Sequence, residues 1–396
     1  MPQLRILRTI STGRLLLLLA GVALALAAVG AVAVRAATGS GSPPPAQPLA
    51  NALHDAATAS KPAGISARIS FTNDLVPSLS SFTGQGAVSP LLSGANGRLW
   101  LTGDGYGRIE LQSNSGNDSE ITWSPSRARI YDGTSNTVYE VALPQHATTT
   151  HTRPHTPPTV AQIQSFLSKL TDAVTLSNPV STVIGGQGAY SVRVTPKDSS
   201  SLLDGARIGW DAVHGVPLEI GIYARGVSGP VVSLTATGIS YAPVPASDVK
   251  ISPPPGAKIV TIPTPSSSRS GRTHESVGGL AAVQAKLPFT LAAPATLDGK
   301  ARASVRLLGG DSALLVYGKG LSAIAVVERQ PAQGGAQQPP SALGSLPTTT
   351  IAGAKAQELP TQLGTLLRFE HAGVSFLVGA ALPQHEVEQA AAGLAS

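Results

Sequence analysis

At 396 residues the chain is long enough for two or three domains, and its +6 charge is spread thinly, with no Lys/Arg run interleaved with aromatics as a nucleic-acid groove requires. The 42 Gly and 32 Pro beside only 13% charged residues fit many short strands and turns better than long exposed helices. The absence of cysteine excludes disulfides, Cys-zinc sites, a lipid-modified N-terminal Cys and thiol chemistry.

Residues 1–14 carry Arg5, Arg8 and Arg14 and are followed by an uncharged run from Leu15 to Val34. As a helix that run is about 30 Å long, the thickness of a hydrocarbon core. The basic flank holds the N-terminus in the cytoplasm and sends the chain beyond Arg35 outside. Residues 15–36 are therefore read as a single-pass transmembrane helix. A cleaved signal peptide, giving a secreted protein, is the alternative, because small residues adjoin Val34-Arg35-Ala36. Residues 37–48, "ATGSGSPPPAQP", form a Gly/Ser/Pro linker.

Residues 49–262 are predicted as one domain. Leu49, Ala52, Leu53 and Ala56 share one side of a short helix, and strands follow at "GISARISF", "GRLWLTG", "YGRIELQS", "SEITW", "RARIYD" and "TVYEVAL". In "RIELQ", Ile109 and Leu111 point opposite to Arg108, Glu110 and Gln112, the alternation of a sheet wet on one face. Ile121 and Trp123 repeat it. Asp132-Gly133 predicts a hairpin within an antiparallel meander, through residues that tolerate positive φ. A helix is predicted in "VAQIQSFLSKLTDAV", with Ile163, Phe166, Leu167, Leu170 and Val174 as its apolar stripe. Strands resume at "GAYSVRVTP", "GARIGWDA", "VPLEIGIYAR" and "PVVSLTATGISY", and the domain closes on "VKISPPPGAKIV". Roughly ten strands with two or three helices make a curved sheet that the helices cover only in part.

A linker over 263–276 leads to a smaller α+β domain, 277–396. It starts with a helix in "VGGLAAVQAKL", continues with strands "ARASVRLL", "SALLVYGK" and "LSAIAVVERQ", and crosses a Pro/Gln/Gly-rich loop, "RQPAQGGAQQPPSALGS". A hairpin in "LGTLLRFEHAGVSFLVGA" and a last helix in "HEVEQAAAGL" complete it.

Catalytic signatures are absent: the sequence has no G-x-S-x-G elbow, P-loop, H-E-x-x-H or dinucleotide fingerprint, and no carboxylate pair stands out. The chain is read as a non-enzyme without cofactor. His146, His151 and His155 lie in a Thr/Pro-rich loop whose prolines fix no coordination geometry, so no metal site is assigned to them. Trp100, Trp123 and Trp210 read as core or rim residues, and Asn117-Asp118-Ser119 fits a glycosylation acceptor in a chain of bacterial composition.

Three motifs in order carry a family resemblance. They are the strand and Asp-Gly turn at Asp132-Gly133; the "W-D…G-x-P-L" set of Trp210, Asp211, Gly215, Pro217 and Leu218; and the closing "P-P-x-G" from Pro253 to Gly256. With the leading and central helices, residues 49–262 resemble the LolA/RseB-like lipoprotein-localisation superfamily, and the tail resembles the small C-terminal domain of its membrane-bound bacterial members. The resemblance implies an unclosed antiparallel β-barrel lidded by helices, which binds lipid or lipoprotein acyl chains on its concave side. In RseB-like members it implies an extracytoplasmic regulator that binds an anti-sigma factor. The apolar wall expected of such a cavity is Leu99, Leu101, Ile109, Leu111, Ile121, Trp123, Leu218, Ile220 and Ile222. A retained anchor departs from a soluble shuttle and points to handling or sensing at the membrane.

Overall fold

A computed structural model describes residues 41–76, 90–112, 118–143, 157–262, 277–308, 311–331 and 346–395. The predicted membrane helix, the three loop histidines, Asn117, the linker 263–276 and most of the Pro/Gln/Gly-rich loop lie outside them. No helix among the described residues is long and apolar enough to cross a membrane.

Thirteen of the described strands form one sheet. In chain order they are β1 (Gly64–Asn73), β2 (Ala95–Thr102), β3 (Gly107–Gln112), β4 (Ser119–Ser124), β5 (Arg127–Asp132), β6 (Thr137–Ala142), β7 (Val174–Leu176), β8 (Val180–Ile184), β9 (Gln187–Pro196), β10 (Leu203–Asp211), β11 (Pro217–Ala224), β12 (Pro230–Ser240) and β13 (Lys258–Ile262). Their order across the sheet is β13-β6-β5-β4-β3-β2-β1-β12-β11-β10-β9-β7, with β8 also on β9. Every pair is antiparallel except the parallel β13–β6 edge, which the sequence pattern does not announce; β7 and β8 likewise go beyond the predicted strands.

The meander alternates as expected. Ile109 and Leu111 of β3 are buried, while Arg108 on the other face bridges Glu110 at 3.1 Å and Glu120 at 2.8 Å. Register shifts at Arg68/Ile69 in β1–β12 and at Gly209/Trp210 in β10–β11 mark β-bulges, which bend a strand locally.

Three helices flank this sheet: α1 (Leu49–Thr58), α2 (Pro90–Ser93) and α3 (Val160–Leu170), followed by a single turn, α4 (Ala246–Val249). The predicted side of α1 is the one that packs, with Ala52 buried against Tyr190, Val192 and Trp210 and with Leu49, Leu53 and Ala56 around it. Thr159 and Gln162 form a capping box that starts α3. The stripe predicted for α3 is only partly right. Ile163 is buried, but Phe166 is 54% exposed, and Val174 belongs to β7 because the helix stops at Leu170 and the β-branched "VT" pair joins the sheet edge.

The C-terminal part opens with a helix, α5 (Leu280–Gln284), much shorter than predicted. Eight strands follow: β14 (Thr296–Leu297), β15 (Lys300–Leu308), β16 (Ser312–Tyr317), β17 (Ile324–Arg329), β18 (Thr348–Ile351), β19 (Ala354–Thr361), β20 (Gly364–His371) and β21 (Val374–Ala380). They pair in the order β14-β15-β16-β17-β21-β20-β19-β18, and the β18–β19 hairpin was not predicted. A final helix, α6 (Gln384–Ala392), buries Val387, Ala390 and Ala391 on the sheet, over a core that includes Leu315, Tyr317 and Phe369. Residues just outside the strands of the two sheets meet through main-chain bonds from Leu202 N–H to Ala381 O and from Gln362 N–H to Leu75 O, both 2.8 Å.

Candidate functional site

The bend in the first sheet makes an apolar hollow between β1–β2 on one side and β11–β12 on the other. Register brings its walls together: Ala67 faces Leu99 on β2 and Ile239 on β12, and Leu234 faces Ile220 on β11. Thirteen of its fourteen wall residues are apolar, and none of them is helical. The exception is Glu219, whose carboxylate lies 3.9 Å from Arg207. The cavity volume is about 60 Å³, well under the roughly 300 Å³ at which small-molecule pockets begin. Side chains of the sheet itself close most of the space that the sequence pattern leaves open.

The nine predicted wall residues divide. Leu99, Leu101, Trp123, Leu218 and Ile220 line the hollow. Ile109 and Leu111 do not line it but are buried in the same apolar cluster as the wall residues Ile69 and Trp123, and Ile121 packs against that cluster. Ile222, half-buried on β11 opposite Ala206 and Val232, is not on the wall. Sequence reasoning missed the β1 and β12 contribution, chiefly Ile65, Ala67, Leu234 and Ala236. Their alternation was visible, but the pairing of β1 with a strand some 160 residues later was not.

Trp123 is the largest wall side chain. It is 5% exposed, its ring lies where a Cβ on Gly107 would be, and its indole N–H has no hydrogen-bond partner among the described residues. A buried donor without an acceptor is uncommon and costs about 1–3 kcal/mol.

The β10–β11 loop, whose Val216 lines the hollow, is locked by Asp211, which is 1% exposed and accepts from Val213 and His214 amides at 2.7 Å and from the Tyr241 hydroxyl at 2.6 Å. Burial, followed by the Asp211 carboxylate, pushes the Tyr241 hydroxyl's pKa far up, so it stays a donor. Gly215 in that loop has φ +64° and a Cβ there would run into Ala56 O, which ties the loop to α1. This Asp, His and Tyr group holds together a turn. No group of three or more His, Cys, Asp or Glu able to hold a metal occurs among the described residues.

No family model matches the sequence, and no curated protein does. Among solved structures the chain is similar to the Pseudomonas aeruginosa MucA/MucB complex, at 15% identity over 86% of this chain and 96% of that chain, with a TM-score of 0.42. It is also similar to MucB in complex with MucA(peri), at 15% identity over 86% and 95%, TM-score 0.38. A LolA superfamily protein from Nitrosomonas europaea is similar at 11% identity over 52% of this chain and 99% of that one, TM-score 0.21. With TM-scores this low, the functional reading rests on the hollow itself.

Proposed function

We propose that this chain is a non-catalytic, extracytoplasmic binding protein, held at the membrane by its N-terminal segment, whose curved sheet takes a lipid or lipoprotein acyl chain into the apolar hollow. The observation that carries this reading is a wall drawn from five strands, β1, β2, β4, β11 and β12, with thirteen apolar residues out of fourteen. A site built to react would gather titratable groups, and this one gathers methyls. Such a wall grips by area and shape, which accounts for the lack of a sharp polar motif.

The hollow must widen to admit a chain. Ten methylenes leaving water contribute about 8 kcal/mol, which offsets several Leu or Ile side chains re-ordering at roughly 0.5–1 kcal/mol each. Leu99, Leu101 and Ile220 are only half-buried, so they are the side chains free to turn aside. Full-length protein extracted from membranes and examined by native mass spectrometry is expected to carry lipid-sized adducts. A bare chain that also ignores added fatty acids overturns the reading, and a single stoichiometric protein partner in place of lipid would favour the regulatory role of an RseB-like protein.

A further inference from the structure

The β8 edge of the first sheet exposes apolar side chains. Among the described strands β8 pairs with β9 alone, and Val180–Ile184 holds no charged residue. Val180 is 60% exposed and Val183 39%, where an edge strand facing water ordinarily carries a lysine or another charge. Val213, 54% exposed, stands beside them. Val183 faces Gly188 across the β8–β9 hairpin, and the Gly188 carbonyl accepts from the Ala212 amide at 2.9 Å. Val216, in the same β10–β11 loop as Val213, lines the hollow. Over 173–192 and 212–218 the chain has no Asp, Glu, Lys or Arg.

The described chain begins at this same edge. A Cβ on Gly188 would stand 2.6 Å from Ser42 O, so glycine at 188 lets the incoming segment lie against the hairpin. The Tyr190 hydroxyl donates to Pro45 O at 2.6 Å, and a Cβ on Gly41 would stand 3.3 Å from Gly186 O. Upstream, the uncharged run from Leu15 to Val34 ends at Arg35. Fully extended, the chain from Arg35 to Gly41 reaches about 20 Å at most. The polar headgroup layer, roughly 5–8 Å on each side of the hydrocarbon, takes up part of that reach. So short a tether holds the edge at a high effective concentration beside the bilayer, where a few valines suffice to dock it.

We propose that the β8–β9 hairpin and the β10–β11 loop form a membrane-contacting edge, with Val183 and Val213 seated in the headgroup layer of the bilayer that anchors the chain. This rests on the membrane anchor of the proposed function and adds which edge of the sheet is turned to the lipid. The chain has no cysteine of its own, so Val183→Cys, Val213→Cys and, as a reference on the second sheet, the exposed Glu370→Cys each take one polarity-sensitive dye. Each full-length chain is reconstituted into phosphatidylcholine vesicles, and into vesicles with added phosphatidylglycerol, that contain a lipid bearing a nitroxide near its headgroup. Quenching at 183 and 213 is expected to exceed that at 370 at least threefold, equally in both vesicles. It is expected to fall severalfold at 213 when Val183→Asp is added, with the chain still floating with the vesicles and circular dichroism unchanged. Quenching at 183 and 213 no greater than at 370, in a chain that floats, overturns the edge and leaves the anchor standing. Quenching confined to the anionic vesicles does the same, because 173–192 and 212–218 hold no Lys or Arg to meet them. A shifted emission at 183 without quenching by lipid, rising with the amount of chain per vesicle, assigns the edge to a second copy and overturns the proposal. A chain that does not float overturns both the edge and the anchor.

Discussion

Glu328 and Glu358 predict that this protein loses stability as the solution turns neutral. Both carboxyls sit on the core side of the second sheet, 0% and 2% exposed, and each leaves one oxygen without a partner among the described residues. Burial pushes Glu328 up to about 7, against the Ala292 N–H that donates to its other oxygen. Burial, followed by the neighbouring Glu388 carboxylate, pushes Glu358 to about 7 as well, against the amide of Gln384. With the ordinary value at 4.5, the folded chain holds protons that the unfolded chain releases over the interval from 4.5 to 7. Stability from these groups is therefore full below that interval, falls through it and is lost above it. The difference amounts to about 3 kcal/mol per carboxyl at 1.36 kcal/mol per unit of pKa. Burial raises Glu120 too, against the pull of Arg108, which adds in the same direction. Urea unfolding followed by circular dichroism at pH 5 and pH 8 should show the wild type weaker at pH 8. Glu328→Gln, which keeps the shape of the protonated acid, should exceed the wild type by less than about 1 kcal/mol at pH 5 and by about 3 kcal/mol at pH 8. A wild-type stability that is flat between these values, or a variant that keeps the full slope, refutes the reasoning.

Three further substitutions probe the first sheet. Ala236→Phe places a ring in a hollow of about 60 Å³; overpacking should lower stability by about 1–3 kcal/mol and weaken acyl-probe binding at least tenfold, and retained binding would place the ligand elsewhere. Gly107→Ala drives a methyl into the Trp123 ring, so the tryptophan emission should shift to longer wavelength as the ring leaves its burial, whereas an unchanged spectrum contradicts the packing described. Asp211→Ala strands two amides and the Tyr241 hydroxyl and should cost about 3 kcal/mol or more in urea. A loss below roughly 0.5 kcal/mol, the level of an ordinary surface change, would mean that this turn is not held as described.

Much of the first sheet was legible because strands such as β3 alternate and several turns advertise themselves, whereas β7 and β8 went unpredicted. The Asp132-Gly133 turn is an instance, though its residues act differently from the expectation. Asp132 caps the loop through Thr134 N–H and Ser135 Oγ, the positive φ falls on Asn136, and Gly133 is required because a Cβ there would strike Asp118 O. Trp210, Asp211 and Gly215 likewise proved to be the parts of one locked loop. What local pattern hides is pairing at a distance. The β1–β12 register that builds half the hollow, and the parallel return of β13 onto β6, depend on strands more than a hundred residues apart. The β18–β19 hairpin escaped because "TTTIAGAKAQELPT" is weakly apolar and is held by its neighbours in the sheet, not by its own pattern. Periodicity also says which face a side chain takes but not how closely two walls approach. Five of the nine expected wall residues therefore line the hollow, while its width could be read only from the fold.

The claim on which the account turns is that hydrocarbon enters between β1–β2 and β11–β12. Photo-crosslinking of the full-length chain with a fatty acid carrying a diazirine near its tail, followed by peptide mapping, tests it most directly. Adducts are expected on Leu101, Ile220 and Leu234, and to disappear in Ala236→Phe. Labelling confined to the exposed side chains of Phe166 or Ile259, or an even scatter over the surface, would contradict it.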